Sequence, residues 1–342
     1  MSSAFAAALA QLPRFSLATL PTPLQRADNL SAQLGVNLLI KRDDLTGLAM
    51  GGNKARKLEY IVADAQMAGA DMLLTSAAAQ SNFCRMTVGA ARKAGMRAGL
   101  LLRGSGTEPV QGNLLLDHLL GAQIRFTQDM DPYSAMTHQA LLDWAAEEKR
   151  VGAEPYLVYI HGASRAGALA TIGYVDGAAE LVAQLAANGT VPDHIYVAVG
   201  SGGTLAGLLL GLRHLALRTR VVGVCVGELS AIVRPKTLEF VETAQRLLDL
   251  PPVDLGNWHL EDSQRGQGYG VPTASGLDAI SLLAQTEAVV ANPVYTGKTL
   301  AALLADVEHG VIRPGETVVY MHTGGDPLVY AYADILAQHA AA

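Results

Sequence analysis

Mainly parallel β-sheets covered by helices, in an α/β chain, are what this sequence predicts, and three observations predict them. Short runs of aliphatic and β-branched residues alternate with helical patterns, two of those runs are apolar without interruption, and one strand runs straight into a glycine-rich turn that opens a helix. The runs read as strands are Val36–Lys41, Met72–Ser76, Ala98–Leu102, Tyr156–Ile160, Ile195–Val199, Val221–Val226 and Thr317–His322. Ile195–Val199 and Val221–Val226 show no polar alternation, which calls for helices over both faces and hence parallel pairing. After Lys57, the residues Leu58, Ile61, Val62 and Ala65 fall at i, i+3, i+4 and i+7 with Glu59 and Asp64 off that line, predicting a helix that lays one face on a sheet. The Pro/Gly-rich stretch from Pro251 to Gly276, which holds Gly266, Gly268, Tyr269, Gly270 and Pro272, is the longest part without periodicity. It is expected to be a functional loop, since unstructured stretches beyond about 12–15 residues are usually functional or disordered. No repeat or low-complexity tract marks a domain boundary.

Composition narrows the partners. The chain has 342 residues, 50% of them hydrophobic, enough for a large α/β core. Its 25 Lys+Arg against 31 Asp+Glu leave a formal charge of −6 with no basic run, which argues against nucleic acid or an anionic membrane, because phosphate backbones and anionic headgroups need clustered cations. Cys84 and Cys225 lie far apart with no CxxC and no paired histidines, so neither a disulfide framework nor a metal site is expected. Met1 to Leu12 is Ala-rich but lacks the basic flank and the apolar run of a secretion signal, and no stretch approaches the ~20 apolar residues that span a bilayer. A cytoplasmic protein acting on a small molecule is the expectation.

The strongest local signal is Val197-Ala-Val-Gly200-Ser201-Gly202-Gly203-Thr204, a buried strand turning through glycines into a helix near Leu205. Such a turn points backbone N–H groups at a helix start, where a phosphate is favoured. A dinucleotide fingerprint would need glycine at 205, where this chain has leucine, and the Gly297-Lys298-Thr299 tripeptide lacks the P-loop glycine, position 292 being asparagine. An ordinary tight strand-to-helix turn is the alternative.

Next, Gly51-Gly52-Asn53 sets Lys54 at the opening of a helix. A positive dipole end and desolvation both lower an ammonium pKa, and the neutral amine is what imine chemistry with a carbonyl needs. A lysine in a first helical turn is otherwise a solvated surface residue; its pairing with a phosphate turn points instead to pyridoxal phosphate. Ala79-Gln80-Ser81-Asn82, ahead of a helix near Phe83, offers a hydroxyl, an amide and helix-start N–H groups for a substrate carboxylate, or a plain helix cap. Tyr295 and Thr323, in Asn292-Pro-Val-Tyr295-Thr296-Gly-Lys298 and His322-Thr-Gly-Gly325, are by themselves a core aromatic and a turn residue.

Taken in order and at these separations, KRDDLTG, GGNK with RKLE, AQSN, VGSGGTLAGL, NPVYTGK and HTGGDP resemble the D-cysteine desulfhydrase and 1-aminocyclopropane-1-carboxylate deaminase family of pyridoxal-phosphate enzymes, over about Pro21 to Tyr332. The resemblance implies the fold-type-II architecture of tryptophan synthase β, two twisted sheets with the active site in an interdomain cleft. It places a large cofactor-binding domain at 1–53 and 164–342 and a small inserted domain at 54–163, and it implies a homodimer. Carried over motif by motif, Lys54 is the Schiff-base lysine, and Gly200, Ser201, Gly202, Gly203 and Thr204 hold the phosphate. Asn82 approaches the ring's phenolic oxygen or, with Ser81, the substrate carboxylate; Tyr295 and Tyr269 flank the reacting carbons; Thr296 meets the pyridine nitrogen, and Thr323 joins the cofactor site. Phe83 stands where relatives carry a polar side chain, so that wall of the substrate pocket becomes more apolar, and His161 and Arg165 stay unassigned. A neutral hydroxyl at 296, in place of a carboxylate, favours β-elimination of a small amino acid to a 2-oxo acid and ammonia over ring-opening deamination. Amino-acid racemisation, dehydration and a silent cofactor-binding protein are the alternatives.

Overall fold

The computed structural model describes residues 3–129, 131 and 134–341. Its ten strands are β1 (Leu24–Arg26), β2 (Asn37–Arg42), β3 (Met72–Ala78), β4 (Arg97–Arg103), β5 (Gln123–Thr127), β6 (Pro155–Leu157), β7 (His194–Val199), β8 (Arg220–Cys225), β9 (Trp258–Glu261) and β10 (Thr317–His322) among the described residues. They form two sheets, one of six strands in the order β1-β2-β10-β7-β8-β9 and one of four in the order β5-β4-β3-β6. Among the described residues, only β1 runs antiparallel to its neighbour. The central β7 and β8 are buried nearly end to end, as their uninterrupted apolar character requires.

Each expected strand exists, with two corrections. The run Tyr156–Ile160 is paired only at its start, where β6 ends at Leu157. The irregular stretch after Pro251 is interrupted by β9, whose Val221↔Trp258 register closes one edge of the large sheet. The periodicity after Lys57 also understated its helix. Lys54–Met67 is buried from Ala55 to Ala65 on all sides, Glu59 and Asp64 included. Those two carboxylates are tolerated inside because Arg14 Nε pairs with Glu59 at 2.5 Å and Arg165 Nη2 with Asp64 at 2.6 Å.

The helix Arg165–Ala187 organises the centre. A Cβ on its Gly173 would stand 2.4 Å from the backbone oxygen of Arg56, and a Cβ on Gly207 of the Gly203–His214 helix would stand 2.2 Å from that of Thr171. Hydrogen atoms at these positions let the Lys54–Met67 and Gly203–His214 helices pack backbone to backbone on one shared helix. Behind the first contact lies a buried ion cluster. Arg56 donates to Asp43 at 2.9 Å and to Glu180 at 2.7 Å, Lys41 also reaches Glu180, and the Tyr174 hydroxyl donates to Asp43. Burial opposes the Asp43 charge, but the Arg56 guanidinium outweighs it and holds the carboxyl below its ordinary value.

Removing Arg56 leaves two carboxylates facing each other in the interior. Arg56→Met is expected to lower unfolding free energy by about 3–5 kcal/mol, read as a shift in the urea midpoint. Because the Asp43 and Glu180 values are both lowered, the parent's contribution from this cluster is complete above the unfolded carboxylate range and is lost as pH falls through the folded values. The midpoint difference between parent and variant should therefore shrink in acid.

Candidate active site

Between the two sheets lies a cavity of about 340 Å³. Its wall is built from the carboxyl ends of strands: Thr75 to Ala77 of β3, Arg103 of β4, Ala198 and Val199 of β7, and the turns that follow β7, β8 and β10. Open parallel sheets leave unpaired backbone and helix starts at that end, which is where ligands bind in them. Eleven of the thirteen residues singled out by sequence, namely Lys54, Ser81, Asn82, Phe83, Gly200, Ser201, Gly202, Thr204, Tyr269, Tyr295 and Thr323, line it.

Lys54 opens its helix on the cavity floor, and its Nζ donates to Asn53 Oδ1 at 2.9 Å. Asn53 does not cap the helix as its type suggests; its Nδ2 donates to Thr204 Oγ1 at 3.2 Å, which ties the lysine to the glycine turn. Desolvation lowers the Lys54 ammonium to about 8, with a further push from the Arg85 guanidinium. The preceding turn is fixed from behind. Thr46 Oγ1 accepts from Gly52 N and donates to Gly52 O, and a Cβ on Gly324 would lie 2.5 Å from Gly52 Cα, so the Gly51-Gly52-Asn53 and His322-Thr323-Gly324 turns press against each other.

The turn after β7 is shaped for an anion. Gly202 sits at φ +98°, and a Cβ there would also meet Thr237 Oγ1 at 2.5 Å. Among the described residues, no protein acceptor meets the N–H groups from Ser201 to Thr204. Gly203 forms the first turn of the helix behind the wall without lining the cavity. Sequence reasoning passed over the cation that completes this cradle. Lys57 lines the cavity one helical turn on from Lys54, with Nζ 3.6 Å from where a Gly203 Cβ would sit and 5.7 Å from the centre of the Tyr174 ring. Burial first, and then the Lys54 charge, push its pKa well below the ordinary lysine value. The i, i+3 spacing of the two lysines was the available signal, since it puts both on one face of the helix.

Ser81 caps the Asn82–Lys93 helix, its Oγ accepting from Phe83 N and Cys84 N at 3.2 Å each. This corrects the expectation that those helix-start N–H groups are open to a carboxylate. What remains is the Ser81 O–H and the Asn82 N–H, which has no acceptor among the described residues. Across the cavity, Tyr269 and Tyr295 share a hydroxyl–hydroxyl bond of 2.6 Å with their rings edge to face. Desolvation raises the Tyr269 pKa above that of a free tyrosine, although 42% of the residue remains accessible, and its hydroxyl is protonated at neutral pH as any tyrosine's is.

Thr296 is not brought to the cavity. It is fully buried behind Tyr295, and its hydroxyl accepts from Asn292 N and Nδ2 at 2.8 Å each, which anchors the start of the Thr296–Glu308 helix. Arg165 is likewise occupied, in a two-pronged pair with Asp64. His161 packs its ring 5.0 Å from Tyr159, outside the cavity lining. Both cysteines are buried and unpaired, and no cluster of metal-ligating groups exists among the described residues.

The donor set fits pyridoxal phosphate: a turn that a side chain at Gly202 would fill, a buried lysine beside it, and a second lysine of depressed pKa within one helical turn. Comparisons with known proteins agree. The family model of pyridoxal-phosphate dependent enzymes matches residues 15–324. D-cysteine desulfhydrase of Yersinia enterocolitica is 40% identical over 332 residues, 95% of this chain and 97% of that protein, and D-cysteine desulfhydrase of Salmonella paratyphi C is 38% identical over 329 residues, again 95% of this chain and 97% of that protein. Among solved structures, an ACC deaminase homologue superimposes with a TM-score of 0.88 at 36% identity, covering 99% of this chain and all of that one. Threonine deaminase isoform 2 of Solanum lycopersicum, at 15% identity and a TM-score of 0.68 over 98% of this chain and 87% of that one, shares the fold. A matched family model over most of the length, full-length relatives near 40% identity and a cavity built around Lys54 together make this chain a member of the pyridoxal-phosphate dependent enzymes, in their fold-type-II branch.

Proposed function

We propose that this enzyme is a D-cysteine desulfhydrase-like carbon–sulfur lyase. It would remove the Cα proton of a small amino acid and expel its β-substituent; with cysteine and one water, the products are pyruvate, ammonia and hydrogen sulfide. The observation that carries the reading is Lys54, an amine lowered to about 8 and aimed by Asn53 into a cavity whose opposite wall is the Tyr269–Tyr295 pair. When bound, the cofactor supplies an electron-withdrawing ring that acidifies the Cα–H.

The chain's own residues do the rest. Lys54 would hold the cofactor covalently and, once displaced by the substrate amine, take the Cα proton on Nζ. Ser201 to Thr204 and Lys57 would hold the phosphate, with Asn53, Gly200 and Thr323 closing the walls around it. The Ser81 O–H and the Asn82 N–H would fix the substrate carboxylate, while Phe83 keeps that side apolar. The Tyr269 hydroxyl would donate toward a leaving thiolate. Thr296, engaged by Asn292 behind the wall, has no part in this choice; likeness to the D-cysteine desulfhydrases at 38–40% identity is what supports elimination with a good leaving group. The same reading divides the chain into a large domain of 1–53 and 164–342 and a small one of 54–163; β3 to β6 fall within the latter. It also makes the enzyme a cytoplasmic homodimer. Among the described residues no helix is long and apolar enough to cross a membrane.

Three measurements test this. Lys54→Ala should lose the near-visible cofactor absorbance and all turnover of D-cysteine while keeping its far-ultraviolet dichroism; retained absorbance would move the attachment point elsewhere. Lys57→Gln should keep the attachment but raise the cofactor dissociation constant by about ten- to hundredfold, the worth of a charge-assisted hydrogen bond, with equilibrium dialysis as the readout. Capture of the free cofactor needs the neutral Lys54 amine. Its rate constant should therefore rise roughly tenfold per pH unit below 8 and level off above it in stopped-flow absorbance, and a profile still climbing at about pH 10 would contradict the lowered pKa. A panel of D- and L-amino acids with β-leaving groups, scored for 2-oxo acid, identifies the substrate.

A further inference from the structure

The Asn82 carboxamide faces the cavity, and its direction is set by residues the sequence motifs do not include. Its Oδ1 accepts from Asn113 Nδ2 at 2.9 Å. Asn113 is fully buried, and its own amide is oriented without ambiguity. Asn113 Oδ1 accepts from Arg85 Nε at 2.7 Å, a guanidinium that can only donate, and Nδ2 donates in addition to the Gln80 backbone oxygen at 2.8 Å. The Asn113 backbone N–H is clamped by Gln80 Oε1 at 2.9 Å, and Gln80 Nε2 donates to Gln111 O at 2.9 Å. Arg85 is buried and held by the Gly51 carbonyl at 3.1 Å and by the Ala49 carbonyl.

We infer that Asn113 is a positioning residue that, through its bond to Asn82 Oδ1, compels Asn82 to present its NH₂ and not its oxygen to the cavity. The chain of bonds runs from an obligate donor, Arg85, through two amides, and each amide must pass the polarity on. At the cavity end it leaves a donor, which complements an anionic oxygen such as the phenolate of the bound cofactor. Arg85 is anchored on the turn that precedes Lys54, so the same relay ties the Asn82 donor to the attachment lysine. The inference rests on the cofactor reading above.

Asn113→Asp tests it with a nearly isosteric change. The new carboxylate still accepts from Arg85 but has no hydrogen to give Asn82, so the Asn82 amide should turn and donate to that carboxylate instead, presenting its oxygen to the cavity. The holoenzyme of this variant is expected to show a cofactor dissociation constant raised about tenfold and a pH midpoint of the cofactor absorbance raised by about one unit, because the anionic ring oxygen loses its donor. A merely structural role would lower the melting temperature without moving the absorbance midpoint, and an unmoved midpoint overturns the inference. The double variant Asn82→Ala/Asn113→Asp guards against a folding artefact. In the Asn82→Ala background the second change should add nothing to either quantity, and an undiminished effect there would show that Asn113 does not act through Asn82. If the parent protein takes up no cofactor through Lys54, the cofactor reading itself fails and carries this inference down with it, an outcome distinct from a bound cofactor with an unmoved midpoint.

Discussion

The close approach of three helices is the constraint on which the site depends. Lys54–Met67 and Gly203–His214 both lie on Arg165–Ala187 through positions where a single Cβ would collide with backbone, at Gly173 and Gly207. One of these helices opens with Lys54 and the other begins at the glycine turn after β7. Their separation is set by backbone contact, which cannot adjust rotamers, so the distance between amine and turn is fixed by the packing of the core. The bond from Asn53 to Thr204 spans the gap that this packing defines.

Burying charge beside such a contact has a cost, and the protein meets it by using every face of one helix differently. Lys54 and Lys57 look into the cavity, Arg56 turns to Asp43 and Glu180, Glu59 accepts from Arg14 and from the Leu17 and Ala18 backbone, and Asp64 holds Arg165. Each buried acid or guanidinium on that helix has an opposite charge at hydrogen-bond distance, as interior ions require. The two lysines face inward without such a carboxylate, and that asymmetry separates the working face from the scaffold.

Much of this was legible in the sequence because buried parallel strands and glycine turns leave strong local marks. Thr317–His322 is found with the boundaries its apolar run suggested, and the strand before Gly200 within one residue. The edge strands β1, β5 and β9 were missed because they are short: β1 has three residues, and the polar–apolar alternation of β5 (Gln123-Ile-Arg-Phe-Thr127) and β9 (Trp258-His-Leu-Glu261) runs for only five and four. At the site, local motifs located the lysine, the turn and the tyrosines. They misplaced Thr296, whose motif neighbour Tyr295 reaches the cavity while its own hydroxyl is drawn back by Asn292. They included Lys57 within RKLE but gave it no place in the site, because a lysine inside a helix ordinarily points to water, and they did not include Asn113, since an amide relay joining residues 28 and 31 positions apart leaves no trace in sequence spacing.

The inward pair of lysines has a consequence for the stability of the folded chain. Burial lowers the pKa of both ammonium groups, and the Lys54 charge adds to the lowering at Lys57 one turn on. A doubly charged phosphate ester supplies the opposite charge that both lack. By mass action a hundredfold excess of such a ligand over its dissociation constant adds about 2.7 kcal/mol to folding, enough to change the unfolded fraction roughly a hundredfold. Cofactor binding at this pair of lysines therefore adds to the folding free energy of the chain as well as to its chemistry.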